Sequence, residues 1–129
     1  MIIGIGLDII DNRRINKIID RFGKKFKKRC FSDDEIKLCE SRVQEVNSFA
    51  KRYAAKEACA KALGTGLARG VFWKDIEVSN NKYGKPKIIL HNNALSRLKV
   101  ITKSMCKIEL SLSDESDYSI ANVIIFKDE

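Results

Sequence analysis

The chain has 129 residues, 44% of them hydrophobic, and a formal net charge of +8. This length and composition predict one domain over residues 1–129 with its own core, and apolar runs no longer than strands argue against a membrane-spanning helix. Four widely spaced cysteines with no C-x-x-C pair argue against a disulfide framework or a zinc site, and they predict reduced thiols in the cytoplasm.

The first predicted element is a buried strand over residues 2–10, an apolar run that Gly4, Gly6 and Asp8 interrupt. With the two-residue period of a strand, these three residues share one face. The glycines leave room beside the carboxylate for a packed helix or a ligand. Asp8 then has two interpretations: it caps the following turn, or it joins a second acidic side chain at a cation site.

A dense basic segment follows between residues 13 and 29, where lysines and arginines are opposed only by Asp20. Its apolar residues recur at helical spacing, which predicts a helix capped by Asp11 or Asn12. A solvated face is the simple interpretation. A patch of one sign also predicts an acidic partner whose attraction salt weakens.

The longest predicted helix covers residues 43–63 and ends at Gly64. At about 100° per residue, Glu57 and Lys61 fall on the same side as several alanines, where another backbone could approach. The alternative is an ordinary surface Glu–Lys pair worth about 0.3–0.5 kcal/mol. Before this helix, Ser32 and Glu35 are typical of a capping box that begins a short helix, which favours a structural role for Glu35 over that of a general base.

Asp8 and Glu57 are the two acidic side chains that could converge on one cation. Both are expected among small or apolar residues, where an uncompensated carboxylate is costly. Two carboxylates without a second histidine suit Mg²⁺ better than Zn²⁺.

The rest of the chain predicts a mixed fold. A hairpin is expected from residues 76–78 and 87–90, with Pro86 at a strand start or edge, followed by a helix over 92–101 and strands over 107–113 and 118–126. Phe72 and Trp73 are expected in the core. The predicted class is α+β, with a small antiparallel sheet packed against one long helix and several short helices.

Two motifs carry a family resemblance: G-I-G-L-D-I at residues 4–9 and K-R-Y-A-A-K-E-A-C-A-K-A-L-G-T-G at residues 51–66. Together they resemble the holo-acyl-carrier-protein synthases, which are small 4'-phosphopantetheinyl transferases. The resemblance runs nearly end to end. It implies that family's fold and its reaction, in which phosphopantetheine moves from coenzyme A to a serine of apo acyl carrier protein and adenosine 3',5'-bisphosphate is released.

The resemblance also implies the site. Asp8 and Glu57 match its Mg²⁺ ligands, and Glu57 and Lys61 are the expected catalytic residues, with Lys61 facing phosphate. The expected coenzyme A contacts are Arg52, Lys56, Lys61, Gly64 and Pro86. Arg52 or Lys56 would reach a phosphate, although each could instead be a surface charge of the helix. Gly64 is favoured as a helix C-cap. The acidic acyl carrier protein is expected to dock on Arg14, Arg21, Lys24 and Phe26. The family further implies a homotrimer with coenzyme A between subunits.

One position departs from the family pattern. Many members have histidine near the coenzyme A phosphates, where this chain has Asp114. An aspartate there would repel phosphate unless it points away or is neutralised.

Two other classes compete with an enzyme. A small basic module that binds nucleic acid would explain the net charge, but not the Asp8 strand or the Glu57 helix, and no stacking platform is recognisable. A structural oligomer leaves the same residues unexplained. The expected partners therefore exclude nucleic acid and membrane.

Overall fold

A computed structural model describes residues 1–127, so the last two residues of the predicted 1–129 domain lie outside the described residues. The strands are β1 (Ile2–Asp11), β2 (Ile76–Asn80), β3 (Pro86–Leu90), β4 (Lys107–Glu115) and β5 (Tyr118–Phe126). The helices are α1 (Asn12–Phe22), α2 (Lys24–Cys30), α3 (Asp33–Glu40), α4 (Glu45–Ala62) and α5 (Asn92–Ile101). A short 3₁₀ turn at Trp73–Asp75 precedes β2.

The strands form two small antiparallel sheets. The larger sheet has the order β1-β5-β4, and β2 pairs with β3 as a separate hairpin. The basic segment also divides, because Gly23 adopts a left-handed φ of 53° between α1 and α2. The helix predicted over residues 92–101 and the strand predicted over 118–126 have those bounds in the structure.

Helix α4 lies directly on the inner face of β1. A Cβ on Gly6 would overlap the carbonyl oxygen of Ala58, and one on Gly4 would overlap that of Ala62. The space beside the glycines is therefore filled by a helix, and this contact sets the position of α4 against β1. Asp8 follows on the same face of the strand, next to the same helix.

We expect Gly6→Ala to destabilise the fold by about 3 kcal/mol or more, at the upper end of overpacking costs, because the added methyl meets a backbone oxygen that cannot rotate away. Urea unfolding measures the loss. Gly66→Ala is the matched control, since Gly66 has a φ of 59° but open space around it. The control should lose only roughly 1–2 kcal/mol from its left-handed backbone. Equal losses in the two variants would contradict close packing as the cause.

The opposite face of the larger sheet is exposed and apolar. Ile5, Leu7 and Ile9 of β1 are 63%, 59% and 61% exposed, and Ile120 of β5 is 37% exposed. The register places Ile120 beside Ile9, so these side chains form one continuous surface. We call these four residues the outer sheet face. A patch of this kind marks an interaction surface in most proteins.

Two aromatic predictions have different outcomes. Trp73 packs against the core and stacks on Tyr53 with 4.2 Å between ring centroids. Phe72 is 65% exposed, so its predicted core position is wrong. Across residues 1–127, no helix combines the length and the apolar character needed to cross a bilayer.

Candidate active site

Asp8 and Lys61 meet across the contact between β1 and α4. The Lys61 Nζ lies 3.0 Å from Asp8 Oδ1 and 3.0 Å from the Leu7 carbonyl oxygen. The Lys61 side chain thus extends away from α4 and contacts β1. The capping role considered for Asp8 belongs to Asp11, whose Oδ1 accepts from the Arg13 amide at 2.9 Å.

Glu57 is half-buried on α4, within electrostatic reach of Asp8. Burial raises the pKa of the Glu57 carboxyl above its ordinary value, and the charge of Asp8 raises it further, while Lys61 and Arg14 lower it. The two carboxylates are therefore neighbours that repel each other, an arrangement that a bound cation would relieve. The two predicted carboxylates thus lie within electrostatic range of each other.

The donor set fits a hard cation. Two carboxylates on separate rigid elements are ligands typical of Mg²⁺, which keeps several waters or substrate oxygens in its coordination shell. Among residues 1–127, no group of three or more His, Cys, Asp or Glu side chains could enclose a metal. A cation between Asp8 and Glu57 would thus leave positions open for an oxygen ligand of a substrate.

A second feature is a basic cleft of about 790 Å³ between α4, the β2–β3 hairpin and β4. Arg52 is 4% exposed within it and donates to Ser48 Oγ at 2.9 Å and to Asn80 Oδ1 at 3.1 Å. Its Nε has no hydrogen-bond partner among the described residues. The Nε atom itself is buried, so the guanidinium contributes to the cleft as a fixed positive charge, which suits an anion. The cations and proline that line the cleft are Arg42, Lys51, Arg52, Lys85 and Pro86.

Lys56 does not take the role expected of it. Its side chain is 0% exposed, and its Nζ lies 2.8 Å from Glu35 Oε1 and 3.1 Å from the Trp73 carbonyl oxygen. The expectation that Lys56 reaches a phosphate is corrected, because its charge is already compensated in the interior. Glu35 also completes the predicted capping box with Ser32 and accepts from the Val78 amide, so its role in the structure is structural.

Gly64 follows Leu63, the C-cap residue of α4, and takes the left-handed conformation there. Its φ is 83°, and its amide donates to the Lys61 carbonyl oxygen at 3.0 Å. The next two amides of the turn both donate to the Ala60 carbonyl oxygen. Arg97, which no sequence pattern indicates, donates from Nε to the Leu63 carbonyl oxygen at 2.8 Å and adds a positive charge at this turn.

The carboxylate pair and the basic cleft lie on different sides of α4. Arg52 and Glu57 are about 140° apart around the helix axis. Asp8 belongs to β1, whereas the cleft is bounded by β4, and these are the two edges of the larger sheet. A single chain therefore presents the carboxylate pair and the basic cleft on two separate surfaces.

The expected docking residues lie on α1 and α2. Arg14, Arg21 and Lys24 are exposed, and the charge of Arg14 reaches Glu57. Phe26 is half-buried and packs against Phe31 and Tyr53, with ring centroids 5.9 and 6.0 Å apart, so it lines a groove and does not project.

The aromatic ring that projects on this surface is Phe22. It is 50% exposed, with the Arg21 guanidinium 5.1 Å from its ring centroid. Helical spacing places Phe22 in the apolar stripe of α1. Because Phe22 is the last residue of that helix, the stripe ends in solvent, and this position is the sequence signal that could have identified the ring.

Comparison with known proteins identifies the class. A family model described as the 4'-phosphopantetheinyl transferase superfamily matches residues 4–123, and the chain belongs to this superfamily. The chain is 51% identical over 127 residues to the holo-[acyl-carrier-protein] synthase of Agrobacterium fabrum, covering 97% of this chain and 95% of that protein.

Two solved structures share the fold. The holo-[acyl-carrier-protein] synthase of Neisseria meningitidis superposes with a TM-score of 0.86 at 37% identity, covering 98% of this chain and all of that one. The Helicobacter pylori enzyme of the same name, in complex with coenzyme A, gives 0.82 at 32% identity, covering 95% of this chain and 99% of that one. The predicted family, the α+β class and the assignment as a phosphopantetheinyl transferase are confirmed.

Proposed function

We propose that this chain transfers 4'-phosphopantetheine from coenzyme A to a serine of apo acyl carrier protein in a Mg²⁺-dependent reaction. The observation that carries the proposal is the meeting of Asp8, Glu57 and Lys61 at the contact between β1 and α4. The name of the Agrobacterium fabrum relative and the coenzyme A in the Helicobacter pylori structure support the choice of substrates. The whole sequence, residues 1–129, would be one transferase domain acting in the cytoplasm in support of fatty acid synthesis.

The chemistry assigned to the carboxylate pair is phosphoryl transfer. The serine oxygen of the carrier protein forms a bond to the phosphorus on the pantetheine side, the serine proton passes to a water or to Glu57, and the bond to the bridging oxygen breaks to release adenosine 3',5'-bisphosphate. Asp8 and Glu57 would hold Mg²⁺, which when bound neutralises phosphate charge and polarises the reacting phosphorus. Lys61 adds a positive charge beside Asp8, where negative charge grows on the leaving group.

The basic cleft is the proposed place for the adenosine end of coenzyme A. Arg52 would supply a fixed positive charge to the 3'-phosphate, and the backbone around Pro86 would lie beside the adenine. Gly64 would let the pantetheine phosphate pass close to the end of α4, because it has no side chain.

A homotrimer would unite the carboxylate pair of one subunit with the basic cleft of another, as two half-sites of one active site. The outer sheet face is apolar and uncovered within one chain, which suits contact with further copies. The separation of the basic cleft from the carboxylate pair is explained if coenzyme A lies between subunits and takes one half-site from each.

We expect the acidic carrier protein to dock on the exposed basic side of α1 and α2. Reversing two charges together, Arg21→Glu with Lys24→Glu, should raise the KM for the carrier about tenfold and leave kcat little changed. Steady-state kinetics at several salt concentrations measure this, and added salt should raise the wild-type KM in the same direction. Lys99→Glu on α5, also exposed, is the matched control. An unchanged KM in the double variant would contradict this docking surface.

The central experiment incubates the protein with apo acyl carrier protein and coenzyme A and follows the carrier by mass spectrometry. A mass gain of one phosphopantetheine is expected with Mg²⁺, and none after chelation. Salt-sensitive binding to nucleic acid with no mass gain would favour the competing nucleic-acid hypothesis.

A further inference from the structure

Asp114 of β4 reaches one of the cations of the basic cleft. Its Oδ1 lies 3.6 Å from Lys51 Nζ, and its Oδ2 lies 3.5 Å from Asn47 Nδ2. The carboxylate and the lysine side chain are 37% and 29% exposed, so water screens this loose pair only in part. The Asp114 carboxylate is thus paired with Lys51, a cation of the cleft.

Arg52, the neighbouring cation, is held differently. Its hydrogen-bond partners, Ser48 and Asn80, are neutral, and it is almost fully buried. It stays in place whether or not an anion is bound. An anion that approaches Lys51 brings its charge next to Asp114, so it must either displace that carboxylate from the lysine or bind against its repulsion.

We propose that Asp114 is a specificity-determining residue that weakens recognition of the 3'-phosphate of coenzyme A by competing for Lys51. This inference rests on the proposed function of the cleft. It predicts that this chain distinguishes coenzyme A from 3'-dephospho-coenzyme A less sharply than its cluster of cations would otherwise allow. Asp114 acts on substrate binding and is remote from the carboxylate pair, so it should affect KM more than kcat.

The test compares KM and kcat for coenzyme A and for 3'-dephospho-coenzyme A in the wild type and in Asp114→Asn. The variant should lower the KM for coenzyme A roughly two- to fivefold, the range expected for a partly exposed ion pair. The KM for the dephospho substrate should not change, because that substrate lacks the phosphate for which Asp114 competes. Lys51→Met should abolish the gain when combined with Asp114→Asn.

Glu115→Gln is the matched control. Glu115 is the next carboxylate on β4, it is exposed, and the alternation of a strand turns it to the opposite face. It should leave both KM values unchanged. An unchanged or raised KM for coenzyme A in Asp114→Asn would overturn the inference, whereas a wild type that transfers nothing from coenzyme A would instead overturn the proposed function.

Discussion

Replacing Glu57 by glutamine is expected to abolish phosphopantetheine transfer while the protein stays folded. The change keeps the size of the side chain and removes the charge that would hold Mg²⁺ opposite Asp8. Glu57 is half-buried and repelled by Asp8, so the fold does not depend on its carboxylate. The neutral variant should unfold at the same or a slightly higher temperature.

Mass spectrometry of the carrier protein measures the transfer, and thermal unfolding followed by circular dichroism measures the fold. Asp34→Asn is the matched control, because Asp34 is an exposed carboxylate in the first turn of α3, on an element that does not contribute to the site. It should transfer at the wild-type rate. Transfer at a comparable rate by Glu57→Gln would remove Glu57 from the metal role.

The second large effect is expected from Leu7→Glu on the outer sheet face. Leu7 is 59% exposed in the single chain, so each chain should still fold. In an assembly through this face, the glutamate would be buried among aliphatic side chains, where an unpaired charge costs several kcal/mol. We expect a monomer that has lost transfer, because the basic cleft and the carboxylate pair could no longer meet between subunits.

Light scattering coupled to size-exclusion chromatography gives the mass of the particle, and the carrier assay gives the activity. Val100→Glu on α5 is the control, since it places the same charge at an exposed aliphatic position away from the sheet. A monomeric Leu7→Glu variant with full activity would show that one chain holds a complete site.

Mixing Glu57→Gln with Arg52→Gln chains should also restore part of the transfer, because some interfaces then combine an intact half-site from each.

Local patterns in the sequence predict most elements of this fold. The alternation in residues 2–10 places Gly4, Gly6 and Asp8 on one face, as observed, and the capping box at Ser32 forms as predicted. These features depend on neighbours within a few positions of each other, and such short-range rules can be read from the sequence.

Several outcomes depend on residues far apart along the chain. Lys56 looks like a surface cation in its helix, yet Glu35 lies 21 positions earlier and compensates it in the interior. The pattern of β1 separates two faces but does not say that α4 covers the glycine face and leaves Leu7 exposed.

The sequence by itself therefore predicted most of the helices and strands and the acidic pair to be tested. The tertiary structure decided which charges lie inside, which apolar face is open, and that the basic cleft and the carboxylate pair lie on opposite sides of α4. The physical reason is that burial and charge compensation depend on which elements pack together, and periodicity carries no information about the partner.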